Sequence, residues 1–575
     1  MRLRQRAFRA AWGLAIFALL FSSCGGETPA IRPSPVFVVF TPTTLPADIP
    51  ASTASAPVST SAPVPTVTIE KRISDAAPPR LRERIDTLES LSFTASATLT
   101  LDVSPSSASP QPNEGQVRWV YALVAPFPTV RDGVTFDELR AAWNGTRFND
   151  RPLLMAESTI SAFKALWGEP VAGSARGVDE DQLLDAAWNE SAWAIIPFES
   201  IEPRWKVLTI DGQSPIRKGF DIATYPLTVN FTLQISGNVQ VPHLQITNHD
   251  PSKLTTILLT GVTALVRATA YKMEQKGIIY PGEGVRDLMR EADIAHVSNE
   301  VPFLTGCAFP NPNSGRLVFC SDPKYMGLLT DIGVDVVELT GNHFADFGRA
   351  SMNETLAIYN DNNVPYFGSG ADLPDSLEPA LFEVNGNKIA FLGCNAPDTG
   401  GPSIAREDRP GITPCDFDYF TSKVGELKAM GYIVVFAFQW YESYAPQPNP
   451  DQVRGFQRVA DAGADIVSGS QAHYSQTMEF YRDSFIHYGL GNLFFDQMGN
   501  LDWMPEGIRR EFLDRYVIYD GRLIGVELIT AMLEDFSRPR IMTEPERAAF
   551  LREYFEHSGW RPIVDASIPT LTPAP

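Results

Sequence analysis

The stretch VDVVELTGNHFADFG, residues 334–348, sets the reading of this chain. An apolar run of strand type ends at Gly341 and is followed at once by Asn342 and His343, with Asp346 three positions further on. Apolar runs without polar alternation mark strands buried on both faces, as in parallel sheets. In open α/β sheets, ligands gather at the carboxyl ends of such strands. An amide, an imidazole and a carboxylate on the turn leaving a buried strand are then part of a metal or acid–base site, or a turn that caps the next helix, for which Asn is equally suited.

The same arrangement recurs on either side, over residues 252–535. KLTTILLTGV (253–262), DIAHVSNE (293–300), KIAFLGC (388–394), YIVVFAFQW (432–440) and ADIVSGSQ (464–471) read as strands. GEGVRDLMREA, SDPKYMGLLTDIG, NETLAIYNDNN, DYFTSKVGELKAMG and PDQVRGFQRVADAG have helical spacing and separate them. Such alternation predicts an α/β domain. Polar and titratable residues recur just after the strands: Glu300, Asn342, His343, Gln439, Gln471 and His473. That clustering is the strongest functional signal in the chain. His296 and His487 fall inside strand patterns and read as packed or surface residues. Tyr441, Glu442 and Tyr444 line the mouth of a cleft or form a plain loop. TEPERAAFLREYF (543–555) predicts an amphipathic helix that packs on this domain.

Residues 80–247 form an earlier folded region. VRWVYALVAPFP and AWAIIPFESI are strand-like, and FDELRAAWNG and DEDQLLDAAWN have helical spacing with acidic starts. Its pattern resembles a lobe of periplasmic solute-binding proteins. Residues 25–78 are rich in Pro, Ser, Thr and Ala and cannot bury enough apolar surface to offset ordering entropy, so they read as an extended spacer.

Residues 1–24 read as an export signal. Arg2, Arg4, Arg6 and Arg9 precede AAWGLAIFALLF, a run too short for a comfortable membrane span. The small residues before Cys24 resemble a bacterial lipobox, in which the cysteine is acylated. An ordinary signal peptide is the rival reading. Acylation would make lipid the only anchor and place the chain on the outer face of the cell membrane. The chain has five cysteines; with Cys24 set aside, Cys307, Cys320, Cys394 and Cys415 remain. An even number in an exported chain suggests disulfides. Four cysteines allow three connectivities, and nearest-neighbour pairing gives Cys307–Cys320 and Cys394–Cys415. No C-x-x-C spacing supports a zinc site. A formal net charge of −21 argues against general binding to nucleic acid or to anionic headgroups.

ADIAHVSNE, LTGNHFADFG, QWYESYAPQPNPDQV and DAGADIVSGSQAHYSQTMEFYRDSFIHYGLGNLFFDQ, in this order and spacing, resemble the capsule-synthesis CapA family, of the calcineurin-like metallophosphatase superfamily. The resemblance implies a four-layer α/β sandwich over residues 252–560 and an association with poly-γ-glutamate capsule synthesis. Carried over, Glu300, Asn342 and His473 are metal ligands, and His343 is the acid or oxyanion stabiliser with Arg267 beside it. Gln439, Gln471, Asp346, Glu442 and Asn492 would complete the pocket.

The departures from that pattern matter more. Where the family has Gly-Asp, this chain has Gly261 and Val262, and its asparagine ahead of the acidic ligand falls at Ser298. Gln439 and Gln471 stand at two histidine positions. A valine binds no metal, and glutamine is a weak ligand beside imidazole. The implied cofactor is therefore a partly occupied divalent site, manganese or magnesium, or none. Two functions follow. One is a divergent phosphoesterase-like hydrolase or polymer-processing factor at the cell surface. The other is a non-catalytic lipoprotein that binds capsule polymer or a partner of its synthesis.

Overall fold

The computed structural model describes residues 69–87, 97–103, 114–236, 245–397, 401–499 and 504–564. The export signal, Cys24 and the spacer as far as residue 68 lie outside the described residues. Among the described residues no helix is long and apolar enough to cross a membrane.

The first region is a mixed sheet built around one long strand, Glu114–Pro126, which carries the predicted VRWVYALVAP run. Thr228–Ser236 pairs with it antiparallel on one side and Ala194–Pro197 on the other. The sheet extends to Ile69–Ile73 at one edge, through Ala97–Val103, and to Ala175–Gly177 at the other. The helix Phe136–Trp143 starts at a capping box, Thr135 with Glu138, as its acidic start predicted. Trp143, Trp193, Phe163 and Tyr121 fill the core beneath the helices.

Residues 254–541 build two large sheets and a two-stranded one, Ser369–Gly370 with Gly411–Ile412. In the first, the strand order runs Tyr366–Phe367, Val336–Glu338, Ile294–Asn299, Leu254–Leu259, Arg510–Tyr519, Arg522–Glu534, Arg538–Ile541. Leu254–Leu259 is buried along its whole length; its two polar residues, Thr255 and Thr256, bond through their hydroxyls to Val384 O and Asp293 Oδ2. In the second sheet the order is Ala380–Val384, Asn387–Asn395, Ile433–Gln439, Ile466–Ser470, Ser484–His487, Met478–Tyr481. Ile257, Ile294 and Val336 of one sheet meet Phe391, Val435 and Phe485 of the other. The helices Met326–Ile332 and Arg349–Asp361 cover the outer face of the first sheet, and Phe417–Ala429 and Pro450–Asp461 that of the second. Helix, sheet, sheet, helix is a four-layer α/β sandwich.

Both expected disulfides are present, Cys307–Cys320 and Cys394–Cys415. The helix Glu544–His557 packs on the sandwich through Phe550, Leu551, Tyr554 and Phe555. His296 and His487 are buried, His487 with its Nδ1 2.6 Å from Asp514 Oδ2.

The first region is fastened to the sandwich. Phe127, at the end of the long strand, packs against Phe480, Phe485, Phe555 and Trp560. Asp132 pairs with Lys206 of its own region at 2.6 Å and with Arg547 of the last helix at 3.0 Å. Arg217 pairs with Glu527 at 2.6 Å. Aromatic packing with fully paired charges resists hinge motion between the two.

Candidate functional site

The strand ends bring the predicted residues together. Glu300 follows Ile294–Asn299, Asn342 and His343 follow Val336–Glu338, Gln439 closes Ile433–Gln439, and Gln471 and His473 follow Ile466–Ser470. Neighbouring parallel strands therefore deliver their carboxyl ends to one place. Close backbone approach fixes the spacing. A Cβ on Gly341 would lie 2.5 Å from Glu300 Cα, and one on Gly261 would lie 2.1 Å from Gly491 O, so neither position accepts a side chain.

Two histidines converge on one carboxylate. His343 Nε2 and His473 Nε2 each lie 3.9 Å from Glu300 Oε1. His343 Nδ1 donates to Asp346 Oδ2 at 2.8 Å. His473 Nδ1 donates to Asn492 Oδ1 at 2.8 Å, and Asn492 is oriented by its own donations to His473 O and Gln497 Oε1. With Nδ1 the donor in each ring, Nε2 of each neutral imidazole is an acceptor facing the carboxylate. Glu300 Oε2 is buried with no hydrogen-bond partner. Three acceptors around a gap call for a proton or a cation. Burial disfavours the charged form of His343, but Asp346 and Glu300 outweigh it and raise its pKa above 6.5.

The three amides are linked through Gln439. Gln439 Nε2 donates to Asn342 Oδ1 at 2.9 Å and to Gln471 Oε1 at 2.6 Å. Gln439 Oε1 is buried and unpartnered. Val262 is 1% exposed and packs with Val301, Phe319 and Phe495. Arg267 forms an ion pair with Asp496 and lies between the rings of Phe319 and Phe495. Arg267, Gln471 and His473 have φ of 44°, 73° and 48°, a left-handed conformation that costs non-glycine residues of this kind about 1–3 kcal/mol each and collects at functional sites. Glu442 stands at the exposed rim, linked inward through Tyr444 and Gln497 to Asn492.

Asp496, Gln497 and Phe319 were not singled out in the sequence. Asp496 and Gln497 end the FFDQ stretch, directly after the strand Asn492–Phe494, and position at a strand end was the available signal. Phe319 carried none. It lies in the loop closed by Cys307–Cys320, its N–H donates to Asp346 Oδ2 at 2.7 Å, and its ring packs on His343.

A two-metal centre does not fit this donor set, because Val262 supplies no ligand and Gln439 bonds the side-chain oxygens of both Asn342 and Gln471. Among the described residues no group of three or more His, Cys, Asp or Glu is placed to hold a metal ion. The Glu300 carboxylate, with Oε2 unpartnered and Oε1 3.9 Å from His473 Nε2, fits at most one hard cation completed by water.

The two packed sheets and their strand-end site define a four-layer α/β domain. Residues 256–497 match the family described as bacterial capsule synthesis protein PGA_cap. The chain is 27% identical over 269 residues to the PGA biosynthesis protein CapA of Bacillus subtilis, covering 46% of this chain and 69% of that one. It is 26% identical to the capsule biosynthesis protein CapA of Bacillus anthracis, over 39% of this chain and 60% of the relative. Among solved structures, the NAD nucleotidase of Haemophilus influenzae superposes with a TM-score of 0.31 at 11% identity, over 52% of this chain and 56% of that one.

Proposed function

We propose that the chain is an accessory factor of capsule-polymer synthesis of the poly-γ-glutamate type, with a divergent hydrolytic centre at its strand ends. The observation that carries the hydrolytic reading is the convergence of His343 and His473 on Glu300, each ring fixed by a bond to its Nδ1. In this reading His343, whose protonated form Asp346 and Glu300 favour, delivers its Nε2 proton to a leaving oxygen. Asp346 holds the ring in place and favours the imidazolium. Gln439 Oε1 accepts a hydrogen bond from the substrate. Glu300 and His473 would hold one divalent cation, manganese or magnesium, which when bound polarises an oxygen of the substrate. Export and acylation at Cys24 belong to the same proposal, and Cys24→Ser should then leave the membrane fraction.

Hydrolysis of bis(p-nitrophenyl) phosphate by the purified chain with added manganese is the test. His343→Ala should slow it about 100-fold or more, the usual contribution of a general acid. Equal rates in the two proteins would discard the hydrolytic reading. A second reading, ligand capture without catalysis, is favoured by the neutralised Arg267 and by the chain of three amides. It predicts polymer binding that survives His343→Ala.

A further inference from the structure

A second cavity, of about 810 Å³, lies away from the strand-end site, where the first region meets the hairpin turn between Arg510–Tyr519 and Arg522–Glu534. Its volume is that of an ordinary small-ligand pocket. Most of its charges are already satisfied. Arg80 pairs with Glu83 at 3.0 Å and Lys253 with Asp520 at 2.9 Å. Asp250 accepts from Ser252 N and Oγ, and His249 Nε2 lies 2.8 Å from Pro215 O.

Asp250 has only those neutral donors, and three further charged groups also lack an ion-pair partner. Glu199 accepts one bond on each oxygen, from Trp119 Nε1 at 3.1 Å and from Asn248 Nδ2 at 2.5 Å, and both donors are neutral. Lone pairs stay free on both oxygens. Arg84 donates to Thr247 O at 3.0 Å, and Arg522 to Glu199 O and Ile201 O at 3.3 and 3.4 Å. Among the described residues neither guanidinium has a carboxylate partner. Backbone carbonyls thus hold two unneutralised cations at a cavity that also contains the carboxyls of Glu199 and Asp250, both bonded only by neutral donors.

We propose that this cavity binds a zwitterion of short-peptide type, its ammonium group on Glu199 and its carboxylate on Arg84 and Arg522. Guanidinium groups suit carboxylates because their donors match the two oxygens. Trp119, Phe198 and Tyr519 supply apolar wall for the body of the ligand. Burial, with Glu180 adding to it, pushes the Glu199 carboxyl up to about 7 against the bonds from Asn248 and Trp119. An ammonium group set against it would offset that cost of burial. The site is preformed, since Glu199 and Arg522 come from the two regions that the aromatic and ionic contacts fasten together. It does not depend on the hydrolytic reading, as none of the strand-end residues lines it.

Calorimetric titration of the full chain with triglycine, N-acetyltriglycine and triglycine amide tests this. Triglycine should bind, and each capped peptide should bind about 10-fold more weakly or worse, as removal of one charged contact implies. Glu199→Gln should bring triglycine down to the level of the acetylated peptide. Arg84→Gln, which alters an exposed side chain and leaves folding intact, should bring it toward the amide. No binding of triglycine at millimolar concentration overturns the proposal. Equal binding of triglycine and either capped peptide also overturns it.

Discussion

Val262→Asp probes the strand-end site most directly. Val262 is buried, pairs in register with Ser298 and Asn492, and packs with Val301, Phe319 and Phe495. A carboxylate placed there enters an apolar cluster close to the buried Glu300. An uncompensated buried charge costs about 3–5 kcal/mol, so guanidinium unfolding in EDTA should show a loss of about 4 kcal/mol. The cost should grow as pH rises, because a carboxyl facing Glu300 keeps its proton at low pH. A cation shared between the new carboxylate and Glu300 would remove the penalty. Manganese at 100 times its dissociation constant stabilises a binding-competent fold by about 2.7 kcal/mol. The variant should therefore recover more than half of its loss on adding manganese, while the unaltered chain gains less. Adding Gln439→His and Gln471→His should enlarge the recovery. An equal manganese gain in both proteins would show that other side chains already supply the missing ligands. No manganese response in the variant would show that the strand ends lack metal-binding geometry.

Joint replacement Cys307→Ser and Cys320→Ser should lower stability by about 3 kcal/mol, from the 13-residue separation and the chain-entropy model. It should also slow any His343-dependent hydrolysis, because the loop it frees carries Phe319, whose N–H holds Asp346; unchanged rates would refute that coupling. Phe127→Ala should cost about 3–5 kcal/mol and split calorimetric unfolding into two transitions, since its ring contacts four aromatic rings of the sandwich and last helix. A single sharp transition would show that the polar contacts suffice. Arg540, bonded to Glu546 at 2.7 and 2.8 Å, with the Thr543 cap, holds the Glu546 carboxyl at about 2 against an ordinary 4.5. A depressed carboxyl stabilises the fold above its unfolded value and loses that contribution as pH falls. Glu546→Gln should therefore be less stable than the parent at pH 6, by a margin that shrinks as pH falls through 4.5 and is nearly gone at pH 1, as read by guanidinium midpoints.

Much of this protein is legible in one dimension. The unbroken apolar run at 433–438, and the largely apolar runs at 254–259 and 294–297, pointed to strands buried on both faces, and the turn residues after them to a shared edge, because both follow from local spacing. The capping residues Thr135 and Thr543 mark helix starts for the same reason. The identity of each side chain's partner was not legible. Arg267 stood out as a catalytic cation, yet Asp496, 229 positions away, neutralises it. Asn342 stood out as a metal ligand, yet Gln439, 97 positions away, occupies its oxygen. Glu199, inside a strand-like run, showed nothing until Arg84 and Arg522 were placed around the same cavity. Spacing along the chain decides which residues share a face or an edge. Which charges cancel and which remain for a ligand depends on distances between strands remote in sequence, and only the packed tertiary structure sets those.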